Sequence, residues 1–205
     1  MKPESRRVIV FDLGNTLIRF DHNISAKKIA NLCRLDSKML YDNFFESPLT
    51  IDFECGRISP RQFHEEASKR LGIKLPFKDF ADIWNDIFWE DEGSCAIARK
   101  LKEQNYRLFL LSNVNRLHFE WIKNKFDIIG IFDELILSFM VGAIKPDRVI
   151  YDRVVKLSGL DSREILYVDD REDLIKEATR LGIDSVRYEG PEKLAIDLKD
   201  RGIVL

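Results

Sequence analysis

Val8-Ile-Val-Phe11, with the Asp12-Leu-Gly-Asn15 that follows it, decides the fold. Four apolar residues, three of them β-branched, are too few for a helix and show no polar alternation. Such a run reads as a strand buried on both faces. The same unit recurs down the chain. Leu108-Phe-Leu-Leu111 runs into Ser112-Asn113, Leu135-Ile-Leu137 follows Asp133-Glu134, Ile165-Leu-Tyr-Val168 runs into Asp169-Asp170, and Ile183 to Val186 forms a weaker fifth run. Helical patterns separate these runs at Cys95 to Gln104, Leu117 to Phe126, Arg148 to Leu157 and Leu174 to Leu181. Strand alternating with helix predicts an α/β fold, a Rossmann-like doubly wound parallel sheet with helices on both faces.

One interruption breaks the alternation. From Asp21 to Gly93 no buried strand is legible; helix-like segments run instead over Ser25 to Cys33, Ser37 to Phe45, Pro60 to Leu71 and Phe77 to Phe88. That is too long for a normal crossover. The expected organisation is therefore a discontinuous core, residues 1–20 and 94–205, with a helical domain at 21–93 inserted in it. Trp84, Phe88 and Trp89 stand at helical spacing within the insertion and are expected to pack its core rather than stack on a ligand.

Whole-chain composition narrows the function. The 205 residues carry 33 basic and 35 acidic side chains, a net charge of −2, and 45% are hydrophobic. Near-neutrality argues against a nucleic-acid binder or a polybasic membrane-surface protein. Ile128 to Ile144, the most apolar stretch, is broken by Asp133 and Glu134, short of the roughly 18 apolar residues of a membrane span. Val8 to Phe11 is too short an apolar core for a signal peptide. Cys33, Cys55 and Cys95 are odd in number and widely spaced, so reduced, mostly buried thiols and a cytoplasmic location are expected. Acidic runs such as Glu90-Asp-Glu92 are expected to be solvated.

Chemistry gathers at the strand ends. In open parallel sheets, ligands sit beyond the C-terminal ends of the strands. Asp12, Ser112, Asn113, Asp169 and Asp170 all follow apolar runs directly, and Lys145 precedes Pro146-Asp147 at the start of the next helix. Any one of these is explained as a cap or turn residue; four such groups on one sheet edge are not. Three carboxylates in one crevice repel unless a cation sits among them. All-oxygen ligands favour Mg²⁺, and a lysine with a Ser-Asn turn suits a phosphate dianion. A carboxylate nucleophile needs no general base at neutral pH, so the set points to metal-assisted phosphoryl transfer through an aspartyl-phosphate.

Those residues carry a family resemblance. Phe11-Asp-Leu-Gly-Asn-Thr-Leu17, Leu111-Ser-Asn113, Gly142-Ala-Ile-Lys-Pro-Asp147 with Tyr151, and Tyr167-Val-Asp-Asp-Arg171 stand in the order and spacing of the haloacid dehalogenase-like (HAD) hydrolase superfamily. The insertion falls where that superfamily places a C1-type cap. Asp-Leu-Gly-Asn and the paired Asp resemble the branch that includes a bacterial α-D-glucose-1-phosphate phosphatase and the N-terminal phosphatase domain of epoxide hydrolases, although the latter differs at position 14. The resemblance implies that Asp12 attacks phosphorus and that Mg²⁺ is held by Asp12, the Gly14 carbonyl and Asp170 with support from Asp169. It further implies that Ser112, Asn113 and Lys145 bind the phosphoryl group, and that the cap loop bearing Glu54 faces the site and selects substrate. A plain turn at Glu54-Cys-Gly56 is the alternative. The expected ligand is a small phosphorylated metabolite, such as a sugar phosphate, bound by a monomer or homodimer with neither nucleic acid nor membrane as partner.

Two positions depart from the pattern. Superfamily phosphatases commonly carry a general acid/base Asp two residues after the nucleophile; this chain has Gly14. A general acid is typically worth ~10²–10⁴-fold, so without a substitute the rate would fall steeply with leaving-group pKa. Asp21 and His22 are the candidate substitutes. Leu174 stands where Asn or Asp is common, which would loosen support of the metal ligands. Asn115, Arg116 and His118 read as a solvated helix start, with phosphate contact as the alternative. The competing functions are a metal-independent 2-haloacid dehalogenase and a catalytically weakened binding protein on the same fold.

Overall fold

The computed structural model describes residues 7–44 and 47–205. In chain order, β1 (Val8–Phe11) turns into β2 (Ile18–Phe20), and five helices follow: α1 (His22–Cys33), α2 (Ser37–Phe44), α3 (Pro48–Glu54), α4 (Pro60–Leu71) and α5 (Phe77–Asn85). Then come β3 (Phe88–Glu90), α6 (Glu92–Glu103), β4 (Arg107–Ser112), α7 (Arg116–Lys125), β5 (Glu134–Leu137) and the short α8 (Ser138–Val141). The chain closes with α9 (Arg148–Ser158), β6 (Ile165–Asp169), α10 (Glu172–Arg180), β7 (Asp184–Arg187) and α11 (Pro191–Asp200).

Five strands pair in parallel in the order β5-β4-β1-β6-β7. The chain builds from β1 through β4 to β5 on one side, then crosses to lay β6 and β7 on the other. The reversal leaves a crevice beside β1, the usual ligand position in such sheets. Side chains along β1 alternate between the two faces, as the pleat requires. Val8 and Val10 pack with Phe109, Leu111, Ile165 and Tyr167 beneath α9 and α10. Ile9 and Phe11 pack with Leu108, Leu110, Leu166 and Val168 beneath α6, α7 and α11. All four β1 residues are fully buried, which is why the run carries no polar alternation.

Helices α1 to α5 surround a separate apolar cluster of Ile29, Leu40, Phe53, Phe63, Phe80 and Trp84, among others. Phe53 and Phe63 stack with ring centroids 4.3 Å apart. The polypeptide enters and leaves this bundle through an antiparallel ribbon pairing Ile18 with Glu90 and Phe20 with Phe88. Arg19 on that ribbon donates from Nε and Nη2 to Asp91 Oδ2 at 2.9 and 2.7 Å, and Asp91 caps α6.

Several expectations change. The helix predicted over Phe77 to Phe88 ends at Asn85, and Phe88 and Trp89 lie on β3. Trp84 is a core residue of the bundle as expected, but Trp89 is 48% exposed. Helices α3 and α11 and the β2–β3 ribbon were not legible in the sequence. Asp91 is half-buried and ion-paired rather than solvated. The predicted end of the second insertion helix, Phe45, lies outside the described residues. Cys33, Cys55 and Cys95 are free thiols, the last two buried. Among the described residues, no helix is long and apolar enough to cross a membrane.

Candidate active site

Strand ends deliver most of the predicted residues to one place. Asp12 leaves β1, Asp169 ends β6 with Asp170 next, and Lys145 arrives from the loop ahead of α9, while Ser112 ends β4 and lines an adjoining pocket with Gly14, Asn113 and Glu54. Asp12, Asp169 and Asp170 each present a carboxylate oxygen within 4.8 Å of the others. Lys145 is 3% exposed. Its Nζ donates to Asp12 Oδ1 at 2.5 Å, to Asp169 Oδ2 at 2.7 Å and to the Leu111 carbonyl at 3.1 Å. All three ammonium hydrogens are thereby placed, and Asp12 Oδ2 is left for other chemistry.

Neighbouring groups hold this arrangement rigid. Asn113 Oδ1 accepts from Lys145 N at 2.7 Å, and its Nδ2 donates to Lys145 O at 3.0 Å. Asn113 therefore fixes the lysine loop, with one amide hydrogen left for a ligand. Tyr167 donates its hydroxyl to Asp169 Oδ2, and the Arg171 amide donates to Asp169 Oδ1 at 2.9 Å. Asp169 is thus a fully engaged support beneath the more open Asp170. Tyr151 packs edge-on against Tyr167, and its hydroxyl reaches the Leu174 carbonyl at 3.4 Å. Leu174 itself is buried and lines the cavity.

Charge in this cluster is short of balance. Burial raises the Asp12 carboxyl to about 7, and Asp169 and Asp170 add to the rise although Lys145 opposes it. Burial, then Asp169, raises Asp170 as well. For Lys145, burial disfavours the ammonium, but Asp12 and Asp169 override it and its pKa rises. Lys145 is thus the one cation hydrogen-bonded within a cluster of three carboxylates, while Arg171 at the cavity wall is paired with Asp173 at 2.7 Å. A hard divalent cation with oxygen ligands fits this donor set and would relieve the excess negative charge.

A cavity of about 360 Å³ opens above the cluster, lined by Asp12, Gly14, Asn113, Lys145, Asp170 and Glu54 among others. Glu54 comes from the helical bundle, at the C-terminus of α3. Its backbone carbonyl accepts from the Ser138 hydroxyl at 2.7 Å, while that hydroxyl accepts from Val114 N–H at 3.0 Å. Two residues on, Gly56 has φ +68° and lies so close to α8 that a Cβ would meet the Phe139 carbonyl oxygen at 2.3 Å. Glu54 lines the cavity, and its loop is pinned by its backbone. Gly14 lines the same cavity, and a Cβ there would meet Phe20 Cε1 at 2.8 Å.

Other sequence expectations resolve differently. Asp21 caps α1 and accepts from Asn23 Nδ2 and N; those hydrogen bonds hold its carboxyl below the usual range. His22 lines the cavity, but burial lowers its imidazole to about 4. The solvated helix start is overturned at two of its three positions. Asn115 caps α7 and is 2% exposed, and His118 is 6% exposed; only Arg116 faces solvent. Phe20 and Ser138 were not singled out from the sequence, and Tyr167 stood in a motif there without a role of its own. Nothing local marks Ser138 or Phe20, because their roles arise from contacts across the fold.

Residues 6–182 match the family described as haloacid dehalogenase-like hydrolase. The chain belongs to the haloacid dehalogenase-like hydrolases. Among curated relatives, a D-ribitol-5-phosphate phosphatase from Bacteroides thetaiotaomicron is 26% identical over 88% of this chain and 91% of its own. A HAD family enzyme from the same organism, solved in complex with magnesium and inorganic phosphate, superposes with a TM-score of 0.80 at 25% identity, covering 90% of this chain and 95% of that one. The L-2-haloacid dehalogenase of Xanthobacter autotrophicus shares the fold at 18% identity and a TM-score of 0.64, covering 98% and 85% of the two chains. Within this HAD-like hydrolase, Gly14 has the edge of the Phe20 ring 2.8 Å from where a Cβ would stand.

Proposed function

We propose that this HAD-like hydrolase is a Mg²⁺-dependent phosphatase of a small phosphorylated metabolite, acting through an aspartyl-phosphate on Asp12. One observation carries the reading: Asp12, Lys145, Asp169 and the more open Asp170 form a single constellation, three carboxylates around one hydrogen-bonded ammonium, in the wall of a cavity. The phosphatase relative and the magnesium–phosphate complex of a related enzyme support it. Asp12, the Gly14 carbonyl and Asp170 would hold the metal, with Asp169 in support. When bound, the metal would neutralise charge developing on the transferring group.

The chain's own residues divide the work. Lys145 fixes Asp12 Oδ1 and orients Oδ2 towards phosphorus. Oδ2 forms the new P–O bond as the bond to the substrate oxygen breaks. Ser112, the spare Asn113 hydrogen and the Lys145 charge bind phosphoryl oxygens. Water then attacks the phosphoryl group, releasing inorganic phosphate and restoring Asp12. A cavity of about 360 Å³ suits a ligand of a few carbons beyond its phosphate, near the lower end of small-molecule sites. A polyol or sugar phosphate is the substrate class favoured, in keeping with the ribitol-5-phosphate relative.

Phosphate release from a panel of sugar and polyol phosphates tests this, with and without Mg²⁺, for the wild type and Asp12→Asn. The expected result is Mg²⁺-dependent turnover that Asp12→Asn reduces by at least ~10³-fold, as for loss of a nucleophile. Equal activity in the variant would refute the assignment. Halide release from 2-chloropropionate that persists in EDTA, without phosphatase activity, would favour the dehalogenase instead.

A further inference from the structure

A phosphoester with an alkyl leaving group needs a proton at the departing oxygen, and few groups around this cavity can give one. Asp12 is the nucleophile, and Asp169 and Asp170 belong to the charge cluster. Lys145 has every ammonium hydrogen committed. Asp21 is held ionised by its cap hydrogen bonds. His22 is neutral at pH 7 and carries no excess proton. His118 donates Nε2–H to the Trp84 carbonyl at 3.2 Å. Gly14 has no side chain, and Phe20 fills the adjoining space. Glu54 and Tyr41 remain in the cavity lining; of the two, the carboxyl is the stronger acid, and it comes from the C-terminus of α3.

We infer that Glu54 is a further catalytic residue, the general acid that protonates the leaving oxygen and then the general base that takes a proton from the attacking water. Its placement does not depend on its side chain, because the Ser138 hydroxyl and the Gly56–Phe139 approach hold the loop by its backbone. Burial supplies the reason for the proton, and an ionised Glu54 would share its cavity with a phosphate dianion and repel it. Burial raises Glu54 to about 7, against the attraction of Arg171 and Lys145; His22 and Tyr41 complete the titratable lining. The step balances. As the Asp12–phosphorus bond forms and the substrate P–O bond breaks, the Glu54 proton passes to the leaving alkoxide. The resulting carboxylate accepts a proton from water as that water attacks phosphorus, returning Glu54 to its acid form.

This inference rests on the phosphatase reading, and the experiment separates the two. The kcat/KM of the wild type, Glu54→Gln and Tyr41→Phe is measured over phosphates from dinitrophenyl through phenyl to alkyl, with melting temperatures as a check on folding. The wild type should vary little with leaving-group pKa. Glu54→Gln should lose ~10²–10⁴-fold on alkyl phosphates but less than about threefold on dinitrophenyl phosphate, whose leaving group departs without a proton. Equal losses across the series, or none, would overturn the role; so would the expected pattern in Tyr41→Phe and not in Glu54→Gln. A wild type that releases phosphate from no member of the series would refute the phosphatase reading itself, and this inference with it.

Discussion

Phe20 and Gly14 act as one unit. The ring approaches to 2.8 Å of where a Cβ at position 14 would stand, and it is held from behind by His22 and Phe88 at centroid distances of 4.8 and 6.1 Å. Restoring an acid at position 14 is therefore a packing problem before it is a chemical one. Gly14→Asp should lower stability by about 1–3 kcal/mol, the usual scale of overpacking. Adding Phe20→Ala should recover part of that loss, with a coupling above ~0.5 kcal/mol in a double-mutant cycle. Urea denaturation of the four proteins decides it, and strictly additive effects would show that the ring is not the obstacle. The same pair shows where residue-level reading stops. Asp12, Lys145, Asp169 and Asp170 were legible because each stands at the end of a buried run or in a short signature. The consequence of Gly14 was not, since the ring that fills its space comes from six residues further on, across a turn.

At the scale of elements, legibility followed local signals. Helix α4 spans the segment read from the sequence, Pro60 to Leu71, with Pro60 opening the first turn and Gly72 closing the last in the left-handed conformation; the structure adds a capping box between Ser59 and Gln62. The ribbon of β2 and β3 has three residues a side, below what a periodic pattern can report, and it exists through pairing between segments far apart in sequence. Helix α3 is seven residues long, too short to be stable alone; its position depends on the docking of its C-terminus. That docking centres on Ser138, whose hydroxyl is shared between Val114 N–H and the Glu54 carbonyl. Ser138→Ala leaves both groups unmatched in a buried junction, for a loss of about 1–3 kcal/mol. It should also free the loop that carries Glu54. The urea midpoint should fall, kcat/KM should drop, and trypsin should cleave after the exposed Arg57 faster than in the wild type. Unchanged cleavage with reduced activity would contradict the anchoring role.

Across the whole molecule, the helical bundle and the α/β core meet at two imidazoles. His118, on core helix α7, donates to Trp84 of the bundle and accepts at Nδ1 from Asn115 Nδ2 at 3.1 Å, a tautomer assigned from these partners. His22 opens α1, and its ring stacks 6.1 Å from that of His118. Burial lowers both pKa values, His22 to about 4 and His118 well below the normal 6.5. Protonation then favours the unfolded chain, so their contribution to stability is present above pH 6.5 and is lost as the pH falls towards 4. Asp12 and Glu54 have the opposite sign: both are raised to about 7, so acid relieves the unfavourable charge and stabilises the fold. The net acid response of the wild type is a difference of two opposing sets and is expected to be shallow. The histidine part is recovered by comparison. At ~1.4 kcal/mol per pKa unit, the wild type should lose about 2 kcal/mol between pH 7 and 5 relative to His22→Gln, which has no imidazole to charge at that position. Urea unfolding of both proteins at the two pH values measures this, and parallel pH profiles would show that His22 does not couple acid to the junction. The complementary comparison with Glu54→Gln should give the reverse sign, because that variant lacks a carboxyl that acid would neutralise. Opposite responses from two side chains lining one cavity would locate the acid sensitivity of the whole molecule at the contact between bundle and core.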